Sequence, residues 1–263
     1  RSELGYVYGD SAIERGGWVR LERIMADIRD AATGEGEGRR YFLNEVSVGS
    51  RDAVDSLKWA RQARPGEPLA AKEKISVGFH GSQTSDATSL VASRLSDGRL
   101  FHLRSWERPG HVPTGDWSVP RDEVDQAVHD TFAAYKVVSM FCSPATWQTE
   151  VNGWAGEWEK RVLEIWLNSE MRMDQLIERF LTAHRGDELT HDGSETLTKH
   201  AEGSAMANGR KRSSAEDRQP GQTDYYLRVV RKSWSVSTSA FVAAMLAYEA
   251  RGWAIERGAL LHE

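Results

Sequence analysis

Cysteine, long apolar runs and charge of one sign are all scarce in this sequence, and each scarcity excludes a class of protein. Cys142 is the only cysteine among 263 residues, so the chain has no internal disulfide and suits a reducing compartment. Its place in the apolar run 137–142 indicates a buried side chain and not a nucleophile. No stretch approaches the roughly 20 apolar residues that a membrane helix needs, and the start does not resemble a signal peptide.

Two further absences concern nucleic acid and nucleotides. A net charge of -5 argues against a protein that coats nucleic acid, although it leaves room for a local basic patch. No Gly-x-x-x-x-Gly-Lys-Ser/Thr phosphate loop occurs, so the sequence contains no motor domain of that type. The opening Arg1-Ser2, without a methionine, suggests a fragment or a processed form of a longer protein.

Residues 74–107 are the stretch around which the rest of the chain is organised. Apolar side chains alternate with small or polar ones along 75–79, which is the period of a β-strand. A second apolar run occupies 90–95, and Asp97-Gly98 then indicates a tight hairpin into a third strand at 100–106. The pattern predicts three consecutive antiparallel strands.

The remaining pattern predicts an α/β fold. Periodicity and capping signals predict helices at 18–32, 52–63, 120–135, 147–158, 173–184, 197–206 and 237–255, and strands at 136–142, 162–167 and 225–230. The Arg-Pro-Gly-Glu-Pro segment at 64–68 indicates a linker. It predicts a division of the chain into 1–68 and 69–263. The element order matches the RNase H-like topology, with a mixed sheet of five or more strands flanked by helices.

Ligand sites in such sheets form where neighbouring strands end. The strands at 75–79 and 136–142 are expected to be neighbours, with the last helix packed across them. His80, Ser143 and Ser239 should therefore meet at one edge of the sheet. RNase H-like nucleases and actin-like ATPases normally carry an aspartate at the position of His80, so this histidine is the main anomaly of the sequence.

An ordered set of short segments resembles the large terminase subunit of tailed bacteriophages. The segments are 40–44 (Arg-Tyr-Phe-Leu-Asn), 77–82 (Val-Gly-Phe-His-Gly-Ser), 117–124, 142–147 (Cys-Ser-Pro-Ala-Thr-Trp), 172–174, 189–193, 197–200 and 247–250. The resemblance covers nearly the whole chain from residue 40 onward. It implies that 69–263 is the C-terminal nuclease domain and that 1–68 is a linker and the tail of a missing ATPase half.

The resemblance also implies a chemistry and a set of partners. The family cuts concatemeric double-stranded DNA with three acidic residues that hold two Mg²⁺ or Mn²⁺ ions. Full-length terminases work with the portal and the small terminase subunit at the procapsid in the host cytoplasm. No membrane is involved, and the isolated domain is expected to be a monomer.

The family's three acids fall on His80, Ser143 and Ser239, none of which is acidic here. Hard divalent cations prefer anionic oxygen ligands, so we expect the chain to be an impaired or dead nuclease that would hold metal at these positions only if acids were restored. The substitutions are either deliberate or those of a natural degenerate copy. The alternative function is a non-catalytic module of the same fold that binds DNA or the portal.

Other readings of the site have less support. Asp86, in the turn after strand one, and Asp224 are possible auxiliary acids. A zinc site of His80 with Cys142 or His200 lacks the usual close spacing, and a triad built on His80 and Ser143 lacks the Gly-x-Ser-x-Gly elbow. An actin-like phosphotransferase would need a duplicated second half.

A polar and basic segment at 208–222 is the best candidate for contacts with DNA phosphates. The candidate DNA-binding residues are Arg210, Lys211, Arg212, Arg218 and Lys232.

Overall fold

The computed structural model describes residues 12–13, 17–29, 51–82, 87–113, 116–144, 146–212, 224–233 and 236–259. The chain divides into two compact units, Arg1–Arg51 and Asp52–Glu263. In the first unit, helix α1 (Leu21–Arg29) lies within the predicted 18–32 helix, and its Leu21 packs with Ala12 and Val19. The segment 40–44, which carries part of the terminase resemblance, lies outside the described residues.

The rest of the described chain alternates strands and helices. In order, the elements are β1 (Arg51–Asp52), α2 (Ser56–Gln62), β2 (Lys74–His80), β3 (Thr88–Arg94), β4 (Leu100–Trp106), α3 (Arg121–Ala134), β5 (Lys136–Ser143), α4 (Gln148–Trp158), β6 (Val162–Glu164), α5 (Glu170–Arg185), α6 (Glu195–Glu202), β7 (Ser204–Lys211), β8 (Tyr225–Arg231) and α7 (Ser239–Glu256). None of the helices in the described residues has the length and apolar character needed to cross a bilayer.

The central sheet has five strands in the order β4-β3-β2-β5-β6. β2 runs antiparallel to β3 and parallel to β5, while β3 and β4 are antiparallel and β5 and β6 are parallel. The predicted mixed five-stranded α/β fold is therefore confirmed. A smaller sheet has the order β1-β7-β8.

Helix α7 lies on one face of the sheet at unusually short range. Gly78 lies under the α7 backbone, because a Cβ atom built on it would be 2.0 Å from the Ala243 carbonyl oxygen. Ser139 of β5 donates to the Ala250 carbonyl oxygen at 2.9 Å. Small residues on both elements permit this approach, and nearly every α7 side chain from 239 to 247 is buried.

The opposite face of the sheet packs against α3 and α4. Phe79 is fully buried there and makes edge contacts with Trp147 and Trp154. Cys142 belongs to the same apolar cluster, as its apolar run predicted, and burial raises the pKa of its thiol above the ordinary value. Each face of the sheet is therefore covered by helices, which explains why its central strands are apolar on both sides.

Residues 52–68 lie in the second compact unit. Trp59 of α2 is fully buried, and its ring stacks on the His191 ring with centroids 4.2 Å apart. The assignment of residues 1–68 to a linker and the tail of an ATPase half stays a prediction.

The main error in the element prediction concerns residues 203–211. The helix predicted at 197–206 ends at Glu202, and Ser204–Lys211 forms β7, so 208–211 is strand and not loop. Gly203 follows the helix, and a Cβ atom there would be 2.1 Å from Val236 Cγ1. The hydrogen-bonded ladder with β8 overrides the helical tendency of the alanine-rich sequence. The strand predicted at 162–167 is also shorter, ending at Glu164.

Candidate functional site

The three predicted site residues, His80, Ser143 and Ser239, lie together. His80 and Ser143 are the last residues of β2 and β5, and they are paired in the parallel register. Ser239 is the first residue of α7, and its Oγ donates to the His80 carbonyl oxygen at 3.0 Å. The His80 Nδ1 lies 3.2 Å from the same Oγ. The topology therefore brings these three residues to one edge of the sheet; their catalytic role stays a prediction.

The hydrogen bonds with Ser239 define the protonation of the His80 Nδ1 atom. A serine hydroxyl has one proton, and Ser239 uses it on the His80 carbonyl. Ser239 Oγ therefore accepts from Nδ1–H, so Nδ1 of His80 carries a proton. Ser239 is fully buried and Ser143 is 4 % exposed, so neither hydroxyl is placed as an exposed nucleophile.

The donor set at this edge does not fit a pair of hard divalent cations. Mg²⁺ and Mn²⁺ prefer carboxylate oxygens, whereas this site offers one imidazole and two hydroxyls. In the part of the chain that the structure describes, no group of three or more His, Cys, Asp or Glu residues is arranged to hold a metal. Cys142 pairs with Phe79 and packs with it on the far face of the sheet, so a zinc site of His80 with Cys142 is not supported.

Polar residues continue across the sheet from His80. Ser89 of β3 is its partner in the antiparallel register, and Ser89 Oγ lies 2.8 Å from Ser105 Oγ. Ser105 Oγ in turn lies 2.8 Å from His102 Nε2, and burial lowers the pKa of His102. The sheet thus carries a hydrogen-bonded chain from the neighbour of His80 to the edge strand β4.

A second histidine supports the start of α7. The Ala240 backbone N–H donates to His200 Nδ1 at 3.0 Å, so Nδ1 is unprotonated and the proton of the neutral ring is on Nε2. Nε2 lies 3.2 Å from Glu107 Oε1, so its N–H is close enough to act on that carboxylate. Lys199 Nζ lies 3.3 Å from the other oxygen of Glu107. The segment 197–200 belongs to the terminase-like set, but only the fold shows that His200 holds α7 in place.

We expect the contribution of Glu107 to stability to disappear in acid. A hydrogen bond from His200, together with the nearby charge of Lys199, lowers the pKa of the Glu107 carboxyl from 4.5 to about 2. Because the folded-state pKa is depressed, this contribution is fully present above about pH 4.5 and is lost as the pH falls towards 2. Urea unfolding of the protein and of Glu107→Gln should show a difference at pH 6 that shrinks at pH 3. A difference that does not change with pH would contradict this assignment.

The remaining candidate residues are not all in this cluster. Asp86 and Arg218 lie outside the described residues. Asp224 is exposed and lies opposite Arg212 at the outer end of the β7–β8 hairpin, where its carbonyl accepts from the Arg212 N–H. Lys232 Nζ forms an ion pair with Asp52 at 2.7 Å.

Three basic residues lie at the end of β7 and directly after it: Arg210, Lys211 and Arg212. Their surroundings differ. Arg210 is 76 % exposed in its side chain and lies 3.4 Å from Glu170 at the start of α5, and Lys211 is exposed. The Arg212 side chain is only 6 % exposed and forms an ion pair with the buried Asp174 at 2.7 Å. Asp174 also accepts from the Leu227 N–H at 2.7 Å. Arg212 therefore holds the hairpin onto α5, a role that composition alone does not reveal.

The chain is similar in sequence to proteins of two bacteriophages. It is 28% identical to the Gene 13 proteins of Mycobacterium phages D29 and L5, over 95% of this chain and 42% of each relative. The chain thus spans less than half the length of these relatives. No protein-family profile matches it.

The fold is also similar to two solved structures. The large terminase nuclease from thermophilic phage G20c matches with a TM-score of 0.54 at 10% identity, over 76% of this chain and 98% of that one. The HK97 bacteriophage large terminase matches with a TM-score of 0.57 at 13% identity, over 88% of this chain and 50% of that one. The RNase H-like fold of phage terminase nuclease domains, which the sequence resemblance predicted, is confirmed.

Proposed function

We propose that this chain is the nuclease-like domain of a phage large terminase, acting in the packaging of viral double-stranded DNA. The observation that carries the proposal is the meeting of His80, Ser143 and Ser239 at the ends of β2 and β5 and the start of α7. By the sequence resemblance, these are the positions that correspond to the three acids of the terminase family. The fold similarity and the phage relatives support the same assignment.

We further propose that the domain as it stands cuts DNA poorly or not at all. In the active family form, two Mg²⁺ or Mn²⁺ ions activate water and stabilise the leaving oxygen. The residues at the three positions do not provide the negative charge that such ions need. Among the described residues, His200 and Glu107 support α7 but form no substitute metal group.

Plasmid nicking in Mn²⁺ tests this proposal. The protein should leave supercoiled DNA intact, and the variant His80→Asp/Ser143→Asp/Ser239→Asp should nick it. Nicking by the protein itself would show that the chemistry lies elsewhere, with Asp86 the next residue to exchange.

The second candidate is a non-catalytic module that binds DNA or the portal. It is favoured by the combination of three substituted positions with an exposed basic pair at Arg210 and Lys211. The Arg210 backbone N–H donates to Glu170 Oε1, and the Arg210 side chain lies 3.4 Å from Glu170 Oε2, at the start of α5. α5 follows the carboxyl end of β6, which runs parallel to β5 and so ends at the same edge of the sheet as Ser143.

We expect Arg210 and Lys211 to contribute to DNA affinity through phosphate contacts. The variant Arg210→Ala/Lys211→Ala should weaken binding to any duplex sequence and reduce the slope of log K against log salt by roughly 1–2. Fluorescence anisotropy between 50 and 200 mM NaCl measures both quantities. The control is Lys160→Ala, an exposed lysine at the amino end of β6, which should change neither. Equal effects of both variants would contradict the placement of DNA on the hairpin.

The longer protein would supply the other functions. Because the chain covers 42% of its phage relatives, we propose that an ATPase half lies outside it, and that the portal and the small terminase subunit are partners of the whole protein. The site of action would be the host cytoplasm, at the procapsid. The isolated domain is proposed to be a monomer that binds double-stranded DNA.

A further inference from the structure

A cavity of about 440 Å³ lies beside the edge strand β4, away from the site at His80. One wall is the strap formed by residues 66–69, and the other walls come from β4 and from the segment that contains Asp192. Leu69, Phe101, Leu103 and Tyr135 contribute apolar surface to it, and Glu67, Arg99, His102 and Asp192 contribute polar surface. The cavity is thus an open cleft of mixed character, and its polar groups decide what it can hold.

Arg99 is the cationic group that lines this cavity, and it is only partly paired. Its side chain is 3% exposed, and Nη1 donates to Glu67 Oε2 at 2.5 Å. Nε and Nη2 are buried and have no hydrogen-bond partner among the described residues. Unpaired buried donors are costly, particularly on a charged group, so a buried guanidinium with two such donors indicates a missing acceptor.

The geometry of the guanidinium defines that acceptor. Its Cζ lies 5.1 Å from the centroid of the Phe101 ring, and among the described residues only Nη1 of the three guanidinium nitrogens has a hydrogen-bond partner. Nε–H and an Nη2–H point the same way and form a fork that matches two oxygens of one planar acid.

The neighbouring carboxylates do not fill this fork. Asp192 accepts from the backbone N–H groups of His102 and Ser194, both at 2.9 Å. Glu67 reaches only Nη1, and its side chain is 73% exposed. Two carboxylates so close would oppose a phosphate ester, with its charge of about -1.5 to -2, more than a singly charged acid.

We propose that this cavity binds a carboxylic acid with an apolar body, whose carboxylate occupies the Nε/Nη2 fork of Arg99. The apolar body lies against Phe101, Leu69 and Tyr135. Glu67 competes for the same guanidinium, and Nε and Nη2 are closed off from solvent in this structure, so Glu67 and the strap that it belongs to must swing outward for the ligand to enter. Gly66 at the start of the strap has a left-handed backbone (φ +90°), and a Cβ atom there would have no neighbour within 4 Å. The acid is either a small free molecule or the C terminus of a peptide, and the two share this chemistry.

NMR of the Arg99 Nε–H signal tests the proposal with defined probes. Titration with 3-phenylpropionate should give a saturable shift, and the matched 3-phenylpropanamide should give none. Inorganic phosphate should bind at least tenfold more weakly. N-acetylphenylalanine represents a peptide end, and tighter binding of it than of 3-phenylpropionate identifies the peptide as the source. Equal shifts with the amide, or tighter binding of phosphate, would overturn the assignment.

Two variants distinguish recognition by the Nε/Nη2 fork from simple attraction to a positive charge. Arg99→Lys keeps the charge but removes the fork, and should weaken binding of 3-phenylpropionate at least tenfold. Glu67→Gln removes the competitor from a mostly exposed position and should tighten binding several-fold. Glu157→Gln, an exposed carboxylate on α4, is the matched control and should have no effect. If Arg99→Lys fails to fold, an unchanged affinity of Glu67→Gln is sufficient to reject the proposal.

Discussion

The variant His80→Asp/Ser143→Asp/Ser239→Asp is expected to nick supercoiled plasmid in Mn²⁺ at least about 100-fold faster than the protein. Metal-ion catalysis contributes several kcal/mol of transition-state stabilisation, and every 1.36 kcal/mol is about tenfold in rate. The three positions are adjacent in the fold, since His80 pairs with Ser143 and hydrogen-bonds to Ser239. Position 239 is also at the amino end of α7, where a carboxylate interacts favourably with the helix dipole.

Thermal stability provides a readout that does not depend on cutting. Without metal, three neighbouring carboxylates repel one another, so the variant should melt below the protein. Mn²⁺ at 100 times its Kd should then increase the free energy of unfolding of the variant by about 2.7 kcal/mol. This increase appears as a rise in the Tm of the variant, and the unsubstituted protein should show no such rise.

The matched control is His80→Asn/Ser143→Asn/Ser239→Asn, which has the same side-chain size without charge. It should neither cut nor respond to Mn²⁺. If the aspartate variant binds Mn²⁺ but leaves DNA intact, the nuclease proposal fails and the DNA- or portal-binding module is preferred.

Gly78→Ala is expected to destabilise the protein by about 3 kcal/mol or more. The new Cβ would lie 2.0 Å from the Ala243 carbonyl oxygen and 2.5 Å from the Ala247 nitrogen. Both are backbone atoms of α7, so no side chain can rotate away, and the helix must move off the sheet. Overpacked cores typically lose 1–3 kcal/mol, and here the shift also disturbs the contact of Ser239 with His80. Urea unfolding measures the change.

Gly153→Ala is the matched control for this substitution. Gly153 lies within α4, and a Cβ atom there would have no neighbour within 4 Å. Alanine at an open helical position should stabilise the protein by roughly 0.5–1 kcal/mol. Similar effects of the two substitutions would show that α7 does not pack as closely on β2 as described.

Local sequence patterns were sufficient for the central sheet and for the place of the site. Alternating side chains predicted β2, and Asp97-Gly98 predicted the β3–β4 turn, where Gly98 has a left-handed φ of +79°. Such signals depend on residues close together in the chain. The strand ends at His80 and Ser143 follow from them, and the long apolar run before Ser143 indicates a strand buried on both faces. The third position, Ser239, was predicted as the polar residue at the start of the last helix.

Contacts between distant parts of the chain decided the rest. Residues 204–206 form a strand because β8 pairs with them through backbone hydrogen bonds. Their own sequence does not predict this pairing. Arg212 looks like a DNA-binding residue in a basic run, yet Asp174 of α5 forms a buried ion pair with it. Arg99 follows a hairpin turn, a usual place for an exposed charge, but is buried beside the strap at 66–69.

The sequence by itself therefore determined the strands of the central sheet and the chemical types at the candidate site, because periodicity and turn chemistry are local. Only the tertiary structure decided which charges are buried, which are paired and which remain available to a ligand. Burial and pairing depend on partners that are remote in sequence, and no local pattern encodes them.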